Sequence, residues 1–332
     1  MTNAPDTTDA PTEMIDIDRV SFSYGSEDAA ESLGSMVLGL EDVSLRVSPG
    51  ECVLLCGPSG CGKSTLLRLI NGLVPNFHPG ALTGDVTVAG INAPASPLDV
   101  TGRRVSTVFQ NPRTQFFTSE VRGELAFGPE NFGMAPDTIR ARLVEAAQRT
   151  GIDDLLEANL FRLSGGQKQL VACACAMVVE PKVHLFDEPT SNLDAQGSRS
   201  LVKILGELRR SGVAMVISEH RLHQFLPVAN EFVYLREGRI AARWSAERFA
   251  SLSERETAKF GLRHPDMKSD SKIKPYSAKD SDGWRMVDVT YRYPPTKRGI
   301  DGITAEFPFG SVTVICGENG TGKTTLAKVL VG

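Results

Sequence analysis

The same glycine-rich segment occurs twice in this sequence, each time between an apolar run and a stretch of helical character. Gly57-Pro58-Ser59-Gly60-Cys61-Gly62-Lys63-Ser64-Thr65 follows CVLLC and precedes TLLRLINGL. Gly317-Glu318-Asn319-Gly320-Thr321-Gly322-Lys323-Thr324-Thr325 follows VTVIC and precedes LAKVLVG. Both fit GxxxxGK[ST], and the first sits in the strand–loop–helix setting that lets the pattern cradle phosphate. The glycines allow backbone N–H groups to face an anion, and the start of the helix adds partial positive charge. Lys63 then neutralises β/γ-phosphate oxygens and Ser64 is a candidate ligand of Mg²⁺. A glycine-rich turn also arises for structural reasons alone; the Lys-Ser pair and the flanking runs favour phosphate binding.

The echo extends upstream, where LEDVSLRVSPG (40–50) aligns at the same offset with IDGITAEFPFG (300–310). A duplicated domain accounts for this better than two chance motifs. Between the copies, residues 251–283 are rich in Ser, Lys, Asp and Glu and lack apolar periodicity, as a linker does. The expected organisation is a disordered lead (1–13), a complete domain (14–250), the linker (251–283) and the opening of a second domain (284–332). Within the first copy, the β-rich runs ECVLLCG, DVTVAG, RVSTVFQ, KVHLFDE, VAMVISEH and EFVYLREGRI alternate with longer helical segments. That alternation predicts an α/β fold with a largely parallel central sheet. Residues 112–160 are more helical, with TIRARLVEAAQRTG the clearest amphipathic helix, and are a candidate subdomain.

At 332 residues the chain is long enough for two domains. Its hydrophobic content of 41%, charged content of 23% and net charge of −4 describe an ordinary globular protein without a basic balance, so nucleic acid is not an expected partner. The longest apolar run, Leu170 to Val179, is half of the ~20 residues a spanning helix needs. Any membrane role is therefore expected to come through a partner. The N-terminal residues lack a basic start and an apolar core, which suits a cytoplasmic protein. The cysteines lie mostly in apolar strings with no CxxC pair, and are expected to be buried reduced thiols. Cys61, inside the first loop, is the one expected to be open to alkylation.

Val183-His184-Leu185-Phe186-Asp187-Glu188-Pro189 is an apolar run ending in adjacent carboxylates. Alone, such an ending also describes a solvated turn. Paired with a phosphate loop, at the strand end where α/β sheets place ligands, it reads as a site: Asp187 for Mg²⁺ through its water shell, Glu188 as the base that orients or deprotonates an attacking water.

Leu163-Ser164-Gly165-Gly166-Gln167, about twenty residues before Asp187 and leading into the apolar run QLVACACAMVV, resembles the signature sequence of ABC-type ATPases. Such a helix start presents N–H groups and a hydroxyl to an anion. The resemblance implies an ABC-type P-loop nucleotide-binding domain with a helical subdomain, ATP and Mg²⁺ as ligands, and ATP hydrolysis. It also implies that Ser164, Gly165, Gly166 and Gln167 meet the γ-phosphate held by an opposite domain. Gln110 in VFQNP resembles the loop linking Mg²⁺ to the transport partner, and Ser191 to Asp194 resembles the segment that contacts the opposite domain. His220 resembles the γ-phosphate sensor, although by itself it is an ordinary polar residue at a strand end. Tyr24 resembles the aromatic that stacks on adenine; a core or edge tyrosine is nearly as good a description. His78, His184, His223 and His264 match no motif. The carry-over covers residues 14–245.

After Thr325 seven residues remain, with no second signature, acid pair or sensor histidine, so the second copy is expected to be the beginning of a longer domain. The composite site then needs either that domain completed or a second molecule placed head to tail. NGLVPNFHPGALTGDVTVAG, FQNPRTQFFTSEVRGELAFGPEN and SEHRL resemble ATPases of energy-coupling-factor importers, in their double-domain cobalt and thiamine-precursor forms. Such ATPases work at the cytoplasmic face of the membrane with a transmembrane coupling protein and a substrate-binding membrane component. The competing class is a soluble tandem ABC ATPase acting on ribosomes or DNA, whose long basic helical linker has no counterpart here.

Overall fold

The computed structural model describes residues 13–25, 37–263, 283–294, 299–317 and 320–332. The expected lead up to residue 12, most of the expected linker, and Glu318 and Asn319 lie outside the described residues. The chain divides into two compact units, Met1–Met267 and Lys268–Gly332.

The first unit opens with β1 (Ile15–Tyr24), β2 (Val37–Val47) and β3 (Cys52–Cys56), followed by α1 (Lys63–Ile70) and the short α2 (Leu73–Asn76). Next come β4 (Gly80–Val88), β5 (Ile91–Asn92), α3 (Leu98–Gly102), β6 (Val105–Val108), and the helices α4 (Val121–Asn131), α5 (Pro136–Thr150) and α6 (Gly165–Val178). The unit ends with β7 (Val183–Asp187), α7 (Ala195–Arg210), β8 (Ala214–Ser218), β9 (Glu231–Arg236), β10 (Arg239–Ser245), α8 (Ala246–Ala250) and α9 (Glu254–Lys259).

Six strands form the central sheet in the order β10-β9-β3-β8-β7-β6, parallel except for the β9–β10 hairpin. β3 is buried along its whole length because both faces of that sheet are covered. Val53 and Leu55 face α1 and the antiparallel sheet β2-β1-β4-β5, while Cys52, Leu54 and Cys56 face the helical side with α4 to α7. That division is the two-residue period of a strand. The helical stretch anticipated over 112–160 is α4 and α5, both packed on α6; α5 starts with Pro136 and stops at Gly151 in the left-handed conformation (φ +66°).

Two runs differ from expectation. DVTVAG lies in β4 and pairs antiparallel with β1, outside the parallel sheet. Its burial alternates, with Val86 and Val88 inside and Asp85 and Thr87 outside, as a strand with only one covered face requires. EFVYLREGRI is β9, a Glu237-Gly238 turn and the start of β10. Packing also continues past residue 250: α9, opened by a Ser253–Glu256 capping box, occupies the start of the stretch expected to be a linker.

The second unit contains the antiparallel pair β11 (Gly283–Arg292) and β12 (Gly299–Pro308), then α10 (Lys323–Val331). Residues 311–317, which align with the whole of β3 and one residue on either side, form no strand, and Val312 is 93% exposed. β3 pairs with β8 and β9, both much later in the chain. The described residues of the second unit hold no equivalents of those partners, and among them VTVIC pairs with no strand. For the same reason Cys316 is exposed, unlike Cys52, Cys56, Cys61 and Cys173.

Candidate functional site

The loop leaving β3 depends on glycine at both ends. Gly57 has φ +141°, and a Cβ there would lie 2.2 Å from the Leu235 carbonyl oxygen and 2.8 Å from Cys61 Sγ. Gly62, at φ +108°, precedes α1, and its Cβ would fall 2.8 Å from the Gly39 carbonyl oxygen. No side chain caps α1, so the loop and the helix start keep donors for an anion. Pro58, Ser59 and Gly60 form the exposed crest. Lys63 is buried and bends back over its own loop, its Nζ donating to the carbonyls of Gly57 (2.9 Å) and Pro58 (3.0 Å) and approaching Cys61 Sγ at 3.8 Å. Cys61 is 4% exposed and belongs to the core between the sheets; the expectation that it is open to alkylation is overturned by this packing. Thr65 shares a 2.9 Å hydrogen bond with the Tyr24 hydroxyl, which places Tyr24 beside the loop, its ring edge-on to Phe22.

β6, β7 and β8 are adjacent and parallel, so their carboxyl ends deliver side chains to one edge. Ser64 Oγ donates to Asp187 Oδ2 at 2.9 Å, joining the loop to the end of β7. Glu188 follows with φ +47°, a left-handed conformation uncommon outside glycine, and its N–H is held by the Ser218 carbonyl at 2.9 Å. Its carboxylate accepts from Gln110 Nε2 at 2.9 Å and lies 3.3 Å from His220 Nε2. Gln110 follows β6 and His220 follows β8, so three strands converge on one carboxylate. These side chains and the glycine cradle fit a Mg²⁺-bound nucleoside triphosphate: donors for phosphate, a hydroxyl–carboxylate pair for the ion, and a carboxylate beyond them.

Ser164 caps α6, accepting from the Gln167 N–H at 3.2 Å while Gln167 Oε1 accepts from the Ser164 N–H at 3.0 Å. Gly165 shares a surface hollow with Gln110 and Asn192. The pocket lined by Pro58, Ser59, Glu188 and His220 does not include Ser164, so the signature and the loop of this unit are not brought together. In the second copy, Gly322 (φ +94°) precedes α10 as Gly62 precedes α1, and Lys323 Nζ donates to the Gly317 carbonyl at 2.8 Å, repeating the Lys63–Gly57 contact.

Sequence reading missed Glu219. It is 3% exposed; one carboxylate oxygen accepts from the N–H (3.1 Å) and hydroxyl of Thr190, the other from the N–H groups of His220 (2.6 Å) and Arg221 (3.0 Å). It thereby ties the loop after Glu188 to the loop bearing His220. An acid next to a histidine was the available signal, but only the fold shows that it points inward. Glu219→Gln places an amide donor against donors, at about 1–3 kcal/mol for each orphaned group. The expected result is a lower urea midpoint with unchanged slope.

The model of the ABC transporter family matches residues 40–191. A protein of Treponema denticola described as an ABC transporter ATP-binding protein is 35% identical over 96% of this chain and 65% of its own length. A second from the same organism is 33% identical over 96% and 64%. The chain thus spans just under two thirds of these relatives. Among solved structures, cbiO1 from Clostridium perfringens, described as part of the ABC transporter complex cbiONQ, aligns with TM-score 0.62 and 28% identity over 75% of this chain and 94% of that one. With these matches and the architecture described above, the chain has the ABC ATPase nucleotide-binding fold and is similar to ABC transporter ATP-binding proteins.

Proposed function

We propose that this chain binds ATP with Mg²⁺ and hydrolyses it to drive an importer of the energy-coupling-factor type, for a vitamin, a vitamin precursor or a metal ion. The observation that carries the reading is the carboxylate of Glu188, held by Gln110 and His220 at the strand edge where Ser64 meets Asp187. Lys63 exchanges its loop carbonyls for β/γ-phosphate oxygens, and the N–H groups of the loop and α1 share the remaining charge. Ser64 and Asp187 would hold Mg²⁺, with Gln110 reaching the same region, and the ion would supply charge neutralisation to the phosphates. Glu188 orients water for in-line attack and takes its proton, while His220 donates to the terminal phosphate.

Ser164 needs a phosphate loop other than its own, which implies a second ABC domain from a continuing chain or another molecule. The likeness to cbiO1 supports a transmembrane coupling protein and a substrate-binding membrane component as the other partners, and a place at the cytoplasmic face. Among the described residues no helix is long and apolar enough to cross a membrane, so such a location rests on those partners.

Co-expression with a transmembrane coupling protein and a substrate-binding membrane component of the energy-coupling-factor type tests this reading. A detergent-stable complex with ATP-dependent solute uptake is expected. Sedimentation with ribosomes, and no complex with the membrane components, would overturn it.

A further inference from the structure

The pocket over Glu188 has a wall that no motif predicts. Besides Pro58, Ser59, Glu188 and His220, it is lined by Arg221 and by residues 260–263, ending in Arg263. This last segment is anchored. α9 closes with Gly261 at φ +65°, the Gly261 N–H bonding the Ala258 carbonyl (3.1 Å) and the Leu262 N–H the Thr257 carbonyl (3.0 Å). This pair of bonds is a Schellman cap. The Phe260 carbonyl accepts from the Tyr234 hydroxyl at 3.0 Å, and its ring lies edge-on to Tyr234 and Trp244, with centroids 5.1 and 4.9 Å away. Arg221 is fixed from the other side through its N–H to Glu219.

Both arginines are exposed, and among the described residues neither forms an ion pair. Both line this one pocket, and His223 nearby is held below the usual imidazole range by burial and then by the charges of Arg221 and Arg263, against a smaller opposing effect of Glu219. Two guanidinium groups at the mouth of a pocket that already holds Glu188 offset the carboxylate, and their planar forks suit a tetrahedral oxyanion.

We infer that Arg263, together with Arg221, holds the inorganic phosphate released from the nucleotide, as a cis anion site between the phosphate loop and the exit of the pocket. The inference rests on the ATP reading above and adds a step to it. Cleavage leaves a doubly charged phosphate beside Glu188 and ADP, and the two arginines draw it away from both. Arg221 follows His220 within SEHRL, whereas Arg263, which ends the anchored segment, lies outside every nucleotide motif of the sequence.

The test uses the full chain with ADP and orthovanadate, the analogue of phosphate. The orthovanadate concentration for half-maximal trapping of labelled ADP is expected to rise about 10- to 100-fold in Arg263→Ala, the loss of one charge-assisted contact, and further in Arg263→Glu. Arg263→Lys is expected to recover part of it. ADP affinity without vanadate is expected to be unchanged in all three, and so is the thermal midpoint. Unchanged half-trapping in Arg263→Ala, a parallel fall in ADP affinity, or an absence of vanadate trapping in a wild-type protein that binds ADP would each overturn the phosphate site. Failure of the wild-type chain to bind ADP would instead remove the nucleotide reading.

Discussion

Glu188→Gln is expected to leave ATP affinity close to that of the wild type and to lower turnover by about 10²- to 10⁴-fold, the usual loss for a general base. The amide is isosteric, keeps an oxygen for the Gln110 Nε2 donor, and preserves the fold of the loop after β7, whose N–H is anchored by Ser218. What it loses is a group able to accept the proton of the attacking water. Single-turnover hydrolysis with equilibrium ATP binding separates the two quantities. Turnover at the wild-type rate would remove Glu188 from this role and leave its left-handed backbone without a functional reason.

Lys63→Ala is expected to act on binding itself, weakening ATP by about 10²-fold or more, since charge-assisted hydrogen bonds to phosphate contribute about 1.5–3 kcal/mol each. The fold should tolerate the change. Among the described residues Lys63 Nζ contacts its own loop, through Gly57, Pro58 and Cys61, and of the two carbonyls it leaves that of Pro58 belongs to the exposed crest. Calorimetric titration of the variant checks the prediction, and wild-type affinity would count against the phosphate-loop assignment. The two substitutions thus separate the nucleotide-holding role proposed for Lys63 from the water-activating role proposed for Glu188.

Much of this site was legible because its chemistry is local. Gly57 to Thr65 specify a turn with φ values that side chains cannot adopt, and the neighbouring apolar runs specify the strand before it and the helix after it. The Ser164 capping box is likewise written within four residues. Cys61 was misread because exposure is not local: it sits on a loop by sequence, yet Lys63 and the bend at Gly57 fold over it. DVTVAG was misplaced because a short β run does not name its partner, and β1 pairs with it across more than sixty residues.

The sequence by itself determined the α/β alternation and placed the two GxxxxGK[ST] segments, the Asp187-Glu188 pair and Leu163 to Gln167 on the chain, since each depends on residue type and spacing over a few positions. Only the tertiary structure decided that Gln110, Glu188 and His220 meet, that Glu219 locks their loops, and that residues 260–263 wall the pocket. It also decided that VLLC is a strand in one copy while VTVIC is not in the other. The physical reason is the same in all these cases. A strand is completed, and a side chain is aimed, by hydrogen bonds and packing from parts of the chain that local pattern does not reach.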